Sequence, residues 1–171
     1  ISSVSGAAAG AGVSLAFSGD FVVCADNAKF IMAFVNLGLV PDTGGTYLFV
    51  KSLGIQKAME LCVTGRPMKA QEAKDAGMVY DVVPAEELDD TVMKLAKKFA
   101  SGPLLSYKNI KKQIYQAGLA DYKKYLDECE IPTQRECAAS SDFIEGVKAF
   151  MEKRKAEFKS CNKRGSALKN S

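Results

Sequence analysis

The sequence predicts a small α/β layer followed by a helical subdomain, on three observations. Short apolar or β-branched runs alternate with helical stretches as far as Pro84. A glycine-rich turn, Gly6-Ala7-Ala8-Ala9-Gly10-Ala11-Gly12, joins one such run to a helix. Beyond Pro84 the apolar residues recur almost throughout at helical spacing. A length of 171 residues with 47% hydrophobic and 25% charged residues rules out a disordered or fibrous chain and fits one ordinary domain.

In order, Ile1 to Ser5 reads as a strand, the small-residue run as a turn, and Val13 to Phe17 as the start of a helix. Phe21-Val22-Val23-Cys24-Ala25, bounded by Asp20 and Asp26, has the continuous apolar character of a buried strand, and Lys29 to Ala33 reads as a second one. Leu37 to Gly45 is loop chemistry, because Pro41 disfavours helix before it and Asp42 or Thr43 can cap the helix expected over Tyr47 to Leu53. A further helix, Gln56 to Val63, ends at Gly65-Arg66-Pro67. Ala70 to Ala76 is a short helix closed by Gly77, and Met78 to Val83 a strand stopped by Pro84. Four helices are expected after that: Ala85 to Ala100, Leu104 to Ala117, Asp121 to Cys137 and Asp142 to Phe158. Their lysines alternate with apolar positions, as on a solvated face. Tyr115, Leu119, Tyr122 and Leu126 form a stripe that serves as core or interface, core being the preferred reading, and Ser160 to Ser171 reads as a frayed tail.

Charge and composition exclude several chemistries. The formal charge is +3, too small to point to nucleic acid or anionic lipid. Basic residues gather instead after Met151, where seven face two glutamates. Histidine is absent, which removes Ser-His-Asp and Cys-His nucleophiles, His-ligated metals and imidazole acid/base catalysis. Five cysteines without CxxC spacing give neither a disulfide framework nor a zinc site, and fit a reducing, cytoplasmic setting. No apolar run approaches the roughly 20 residues of a membrane span. The first residue is Ile1, inside an apolar segment, so a piece of a longer protein is expected.

Two segments carry possible chemistry. Gly6, Gly10 and Gly12 let a ligand oxygen approach the backbone and leave helix-start N–H groups unpaired, as an oxyanion hole needs; the same small residues also let a helix pack tightly on a sheet. Asp42 in Val40-Pro41-Asp42-Thr43-Gly44-Gly45 is either a helix cap or an acid beside the apolar stretch Phe30 to Val35, which could wall an acyl pocket.

Together these segments resemble the crotonase (enoyl-CoA hydratase/isomerase) superfamily. Val4 to Gly12 looks like its oxyanion-hole segment and Leu37 to Thr46 like its active-site loop. Met59 to Met68, Ala70 to Val79 and Phe150 to Arg154 follow in the family's order and spacing. The wording Lys29 to Phe34 followed by Gly38 to Asp42 most resembles the 1,2-epoxyphenylacetyl-CoA isomerase and enoyl-CoA isomerase branch. The resemblance implies a ClpP-like ββα spiral core, N-terminally incomplete, over residues 1–84, a helical oligomerisation subdomain over 85–158 and a disordered tail over 159–171.

It also implies an acyl-CoA thioester whose oxygen is held by two backbone amides. One maps to Ala11 with Gly10 beside it; the other belongs before Ile1. Losing one such donor costs about 2.7 to 4 kcal/mol of transition-state stabilisation, so the 171 residues alone are expected to be nearly inactive. Hydratases of the family carry two glutamates, at the places held here by Ser14 and Phe34, so hydration is disfavoured. Asp42 stands where several non-hydratase members keep a catalytic aspartate. The implied reaction is isomerisation of an enoyl-CoA through a thioester enolate, with Asp42 as proton shuttle. Phe34 would border the substrate, and Phe150 and Lys153 would approach the CoA nucleotide. No metal or separate cofactor is expected, nor a nucleic-acid or membrane partner, and the assembly implied is a homotrimer or hexamer. Enoyl-CoA hydratase and a non-catalytic acyl-CoA-binding or assembly module are the alternatives.

Overall fold

The computed structural model describes residues 1–158. The elements run β1 (Ser2–Val4), β2 (Ala7–Ala9), α1 (Ala11–Phe17), β3 (Val22–Ala25) and β4 (Lys29–Ile31), then a 3₁₀ turn over Ala33–Leu37 and α2 (Gly45–Thr64). They continue with β5 (Pro67–Lys69), α3 (Ala70–Asp75), β6 (Asp81–Val83), α4 (Leu88–Ala100), α5 (Leu104–Gly118), α6 (Tyr122–Tyr125), a π turn over Leu126–Glu130, α7 (Ile131–Ala138) and α8 (Ser141–Met151).

The strands make two three-stranded sheets. In the first, β3 lies between β1 and β6, parallel to both, with Ser3 opposite Val23 and Cys24 opposite Val82. Every residue of β3 is buried. Successive side chains of a strand point to opposite faces, and here both faces are covered. Val22 and Cys24 join the main core of Phe30, Met32, Phe49, Leu61 and Met68. Val23 and Ala25 pack instead with Leu88, Val92 and Leu95 of α4. That two-sided burial is why the strand reads as an unbroken apolar run.

The second sheet places β4 between β2, parallel to it, and β5, antiparallel. The glycine-rich segment was expected to be a turn only; Ala7–Ala9 instead pair with Lys29–Ile31, because alanines leave a strand free to bond along its backbone. Strand β6 is shorter than the expected Met78 to Val83, since Met78 and Val79 hydrogen-bond back to Ala73.

Helix α2 holds both expected helices, Tyr47 to Leu53 and Gln56 to Val63, with a break at Gly54 (φ 73°, ψ 169°) between them. Its N-cap is Gly44, at φ 78°, and neither Asp42 nor Thr43 caps it with a side chain. The expected helix Asp121 to Cys137 is divided. Pro132 has no N–H for the carbonyl of Glu128 and its ring crowds that carbonyl, so the chain widens into the π turn before α7. Helix α8 stops at Met151, short of Phe158. Ser140 caps its start, accepting from the Phe143 N–H at 3.2 Å.

The stripe of Tyr115, Leu119, Tyr122 and Leu126 does not belong to the buried core. It crosses the end of α5 and the break before α6, so helical spacing does not place it on one face. Tyr115 instead donates to Asp20, and Tyr122 packs on Tyr47 with ring centroids 5.0 Å apart. Helix α8 returns to the 3₁₀ turn, where Gly146 lies so close that an added Cβ would stand 2.6 Å from the Leu37 backbone. No helix among the described residues is long and apolar enough to cross a membrane. The expected tail, Ser160 to Ser171, lies outside the described residues.

Candidate active site

Helix α1 organises the site. Gly10, its N-cap, adopts φ 55° and ψ −128°, a conformation that glycine reaches without a Cβ penalty. The Gly10 N–H donates to the Ile31 carbonyl at 2.9 Å, and the Gly10 carbonyl accepts from Val13. This fixes the entry into the helix and puts Ala11 at its first position, where an N–H has no carbonyl one turn back within the helix. Phe34, 8% exposed, brings its ring tip to 3.7 Å from where a Gly10 Cβ would stand.

One turn into α1, Ser14 is buried and donates from Oγ to the Asp42 carbonyl at 3.1 Å. That carbonyl also accepts from Thr43 Oγ1 at 2.7 Å and from the Gly45 N–H at 3.0 Å. The start of α2 must pack closely for this: a Cβ on Gly45 would stand 2.7 Å from Ser14 Oγ and 2.8 Å from Met32 Cε. Gly10, Ala11, Phe34 and Asp42 are thus gathered around one short helix by contacts through Gly10 and Ser14.

The Asp42 side chain is held from the other side of the molecule. Gln134 Nε2 on α7 donates to Asp42 Oδ2 at 3.3 Å. Asp42 Oδ1 and Gln134 Oε1 are buried without a hydrogen-bond partner among the described residues. One turn before Gln134, Glu130 is 5% exposed, and both of its carboxylate oxygens accept from the Gly44 N–H at 3.0 Å. Burial pushes the Glu130 carboxyl above the ordinary carboxylate range; the Gly44 N–H works against this, and the charge of Asp42 adds to it.

Sequence reasoning missed Glu130 and Gln134. Their i, i+4 spacing places both on one helical face, but so it does for many solvated pairs, and nothing near them in the chain marks a site. The other two expected residues stand apart from this group. Phe150, 77% exposed, and Lys153, also exposed, lie at the end of α8, where the Lys153 N–H donates to the Phe150 carbonyl. Among the described residues, no side-chain hydrogen bond joins either of them to Asp42. Among the described residues no group of three or more His, Cys, Asp or Glu side chains could hold a metal ion. An open groove of about 500 Å³ runs beside Ser2 to Ala8 and the Gly12, Leu15 and Ala16 face of α1, bordered by β1 and β2, each at the edge of its sheet.

Residues 1–162 match the family model for enoyl-CoA hydratase/isomerase. The chain belongs to this family. The 1,2-epoxyphenylacetyl-CoA isomerase of Escherichia coli is 42% identical over 158 residues, covering 92% of this chain and 60% of the relative. The trans-2-decenoyl-[acyl-carrier-protein] isomerase of Streptococcus mutans is 38% identical over 158 residues, with the same coverage. Among solved structures, an enoyl-CoA hydratase from Mycobacterium avium subsp. paratuberculosis superposes with a TM-score of 0.87 at 35% identity, over 91% of this chain and 63% of that one. The fold is therefore the α/β crotonase fold, and the enoyl-CoA hydratase/isomerase chain seen here spans about 60% of the length of these curated relatives.

Proposed function

We propose that the whole protein is an acyl-CoA (enoyl-CoA) isomerase, catalysing double-bond or ring isomerisation through a thioester enolate. Asp42 is the proton shuttle, and the N–H of Ala11 is one of two donors to the thioester oxygen. The observation that carries the reading is what stands at three positions of the site. Where the family's hydratases keep glutamates, Ser14 is buried with its hydroxyl spent on the Asp42 carbonyl, and Phe34 presents a ring against Gly10. Neither can activate water. Asp42, by contrast, keeps one buried carboxylate oxygen unspent.

The chemistry needs one base. A C–H bond of the acyl chain breaks, its proton passes to Asp42, and the electron pair moves into the thioester as an enolate. The proton then returns to another carbon as the enolate collapses. Amide donors aimed at the oxygen stabilise the enolate more than the thioester, which is what accelerates the step. Two of the similar curated proteins carry isomerase names, which supports this direction. The hydratase names among the relatives favour a second reading, crotonyl-CoA hydration, which would need a water-activating group other than residues 14 and 34.

Assembly as a homotrimer or hexamer through residues 85–158 belongs to the same proposal. It is supported by α5, in which no residue is buried and Leu104, Leu105, Ile110 and Ile114 are at least half exposed.

The test is Asp42→Asn in the intact protein, assayed for enoyl-CoA isomerisation and for CoA-thioester affinity. Isomerisation is expected to fall by about 10² to 10⁴ with affinity nearly unchanged, since the amide keeps the shape but not the base. Retained turnover overturns the assignment.

A further inference from the structure

Asp42 and Glu130 are 88 positions apart in sequence, yet the loop 42–44 is gripped at two points by one face of the segment that follows α6. Glu130 takes the Gly44 N–H on both oxygens, and Gln134, one turn later, takes Asp42 Oδ2. We propose that Glu130 and Gln134 are the positioning residues of the proton shuttle, and that their grip makes Asp42 Oδ1 the oxygen that receives the proton. This rests on the isomerase reading for its chemistry, though the grip itself does not.

The two carboxylate oxygens of Asp42 differ in their surroundings. A carboxylate free to rotate offers either oxygen and loses orientation with each turn. Here Oδ2 is occupied by the Gln134 amide, while Oδ1 is buried and unpaired, a costly arrangement unless something is to bind there. The proton leaving the substrate carbon supplies that bond: C–H breaks, Oδ1–H forms, and the pair of electrons goes to the enolate.

Glu130 works through the backbone. Gly44 sits at φ 78° under the Tyr122 ring, so close that an added Cβ would lie 1.8 Å from Tyr122 Oη. Its N–H donates to the Glu130 carboxylate at 3.0 Å, which anchors the bend two residues after Asp42. A buried carboxyl is an expensive group with which to satisfy a single N–H, which argues for a role beyond packing. The groups around it are Asp42 on the loop, Tyr122 and Tyr125 on α6, and Cys129 beside it.

The test uses the intact protein with Glu130→Leu, Glu130→Gln and Gln134→Leu. Gln134→Leu should lower kcat by about tenfold or more, the worth of a hydrogen bond to a charged group, with KM within about twofold. Glu130→Leu should lower kcat further at similar KM. Glu130→Gln, whose amide oxygen can still accept from Gly44, should recover most of that loss. Equal loss in kcat and thermal stability across all three variants, or KM effects without kcat effects, would mean plain packing and overturn the proposal.

A readout independent of turnover accompanies these variants. With selective ¹⁵N-glycine labelling, the Gly44 amide resonance should titrate with pH in the parent, at a midpoint above the ordinary carboxylate range, and lose that step in Glu130→Gln. A Gly44 amide that does not titrate in the parent refutes the grip. If the grip is present but Asp42→Asn keeps full turnover, the isomerase reading fails while the Glu130–Gly44 contact stands.

Discussion

The Ser14 hydroxyl donates to the backbone carbonyl of Asp42 at 3.1 Å, tying the helix that begins with Ala11 to the loop that carries the acid. The segments of a proposed oxyanion donor and a proposed base are therefore joined directly. Position 14 holds a short hydroxyl that is buried against protein.

Replacing Ser14 by alanine should loosen that tie. The Asp42 carbonyl keeps Thr43 and the Gly45 N–H as partners, so no buried acceptor is orphaned. The expected cost is about 1 kcal/mol of stability, the net worth of one ordinary hydrogen bond. Urea unfolding reads it, and a loss above about 3 kcal/mol would show that the hydroxyl does more than hold the loop.

Gly146→Ala should undock α8. The added Cβ meets backbone atoms of Leu37 at 2.6 to 2.7 Å, and backbone cannot swing aside as a side-chain tip can. A destabilisation of about 1 to 3 kcal/mol is expected, as for other overpacked sites. Because Phe34 lies in the same 3₁₀ turn, turnover in the intact protein should fall as well. Unchanged melting temperature would count against the close packing of α8 on this turn.

Stability should also fall in acid. Hydrogen bonds from Arg66 and then Lys57 hold Glu60 and Glu72 down to about 2, and Arg154 holds Glu145 at about 2. A carboxylate whose folded value lies below its ordinary 4.5 stabilises the fold while pH stays above 4.5, and loses that contribution as pH falls toward 2. Glu130, raised instead of lowered, acts with the opposite sign: its contribution fades as pH rises above the ordinary carboxylate range. Urea midpoints measured from pH 6 to pH 2.5 should therefore decline below 4.5, more steeply at low salt because these pairs are partly open to solvent. Arg66→Met should flatten part of that slope; an unchanged slope would show that the Lys57–Glu60–Arg66–Glu72 network contributes nothing.

Much of the fold could be read from the chain itself. The buried strand Val22–Ala25, the glycine turn into α1, the helix stops at Gly65 and Gly77 and the helices after Pro84 all follow from patterns local to a few residues. Short-range sterics and the hydrophobic period act within one element, so they leave a local record. The loop Leu37 to Gly45 was legible too, and with it Asp42 as the acid to consider. The π turn was not, because its cause, Pro132, looks from the sequence like an ordinary early-helix proline.

What the sequence determined by itself is a stretch of 171 residues without histidine, a small-residue helix start at Gly10 and a single acid in a proline-glycine loop. Only the tertiary structure decided which groups surround that acid. Ser14 reaches it from 28 residues upstream and Gln134 from 92 downstream, while Glu130 reaches its loop from 86 residues beyond Gly44. Local pattern can say that a residue is polar or that a helix has two faces. It holds no information on which distant carboxylate will be carried out of water to meet a given N–H, because that is fixed by packing between elements far apart in the chain.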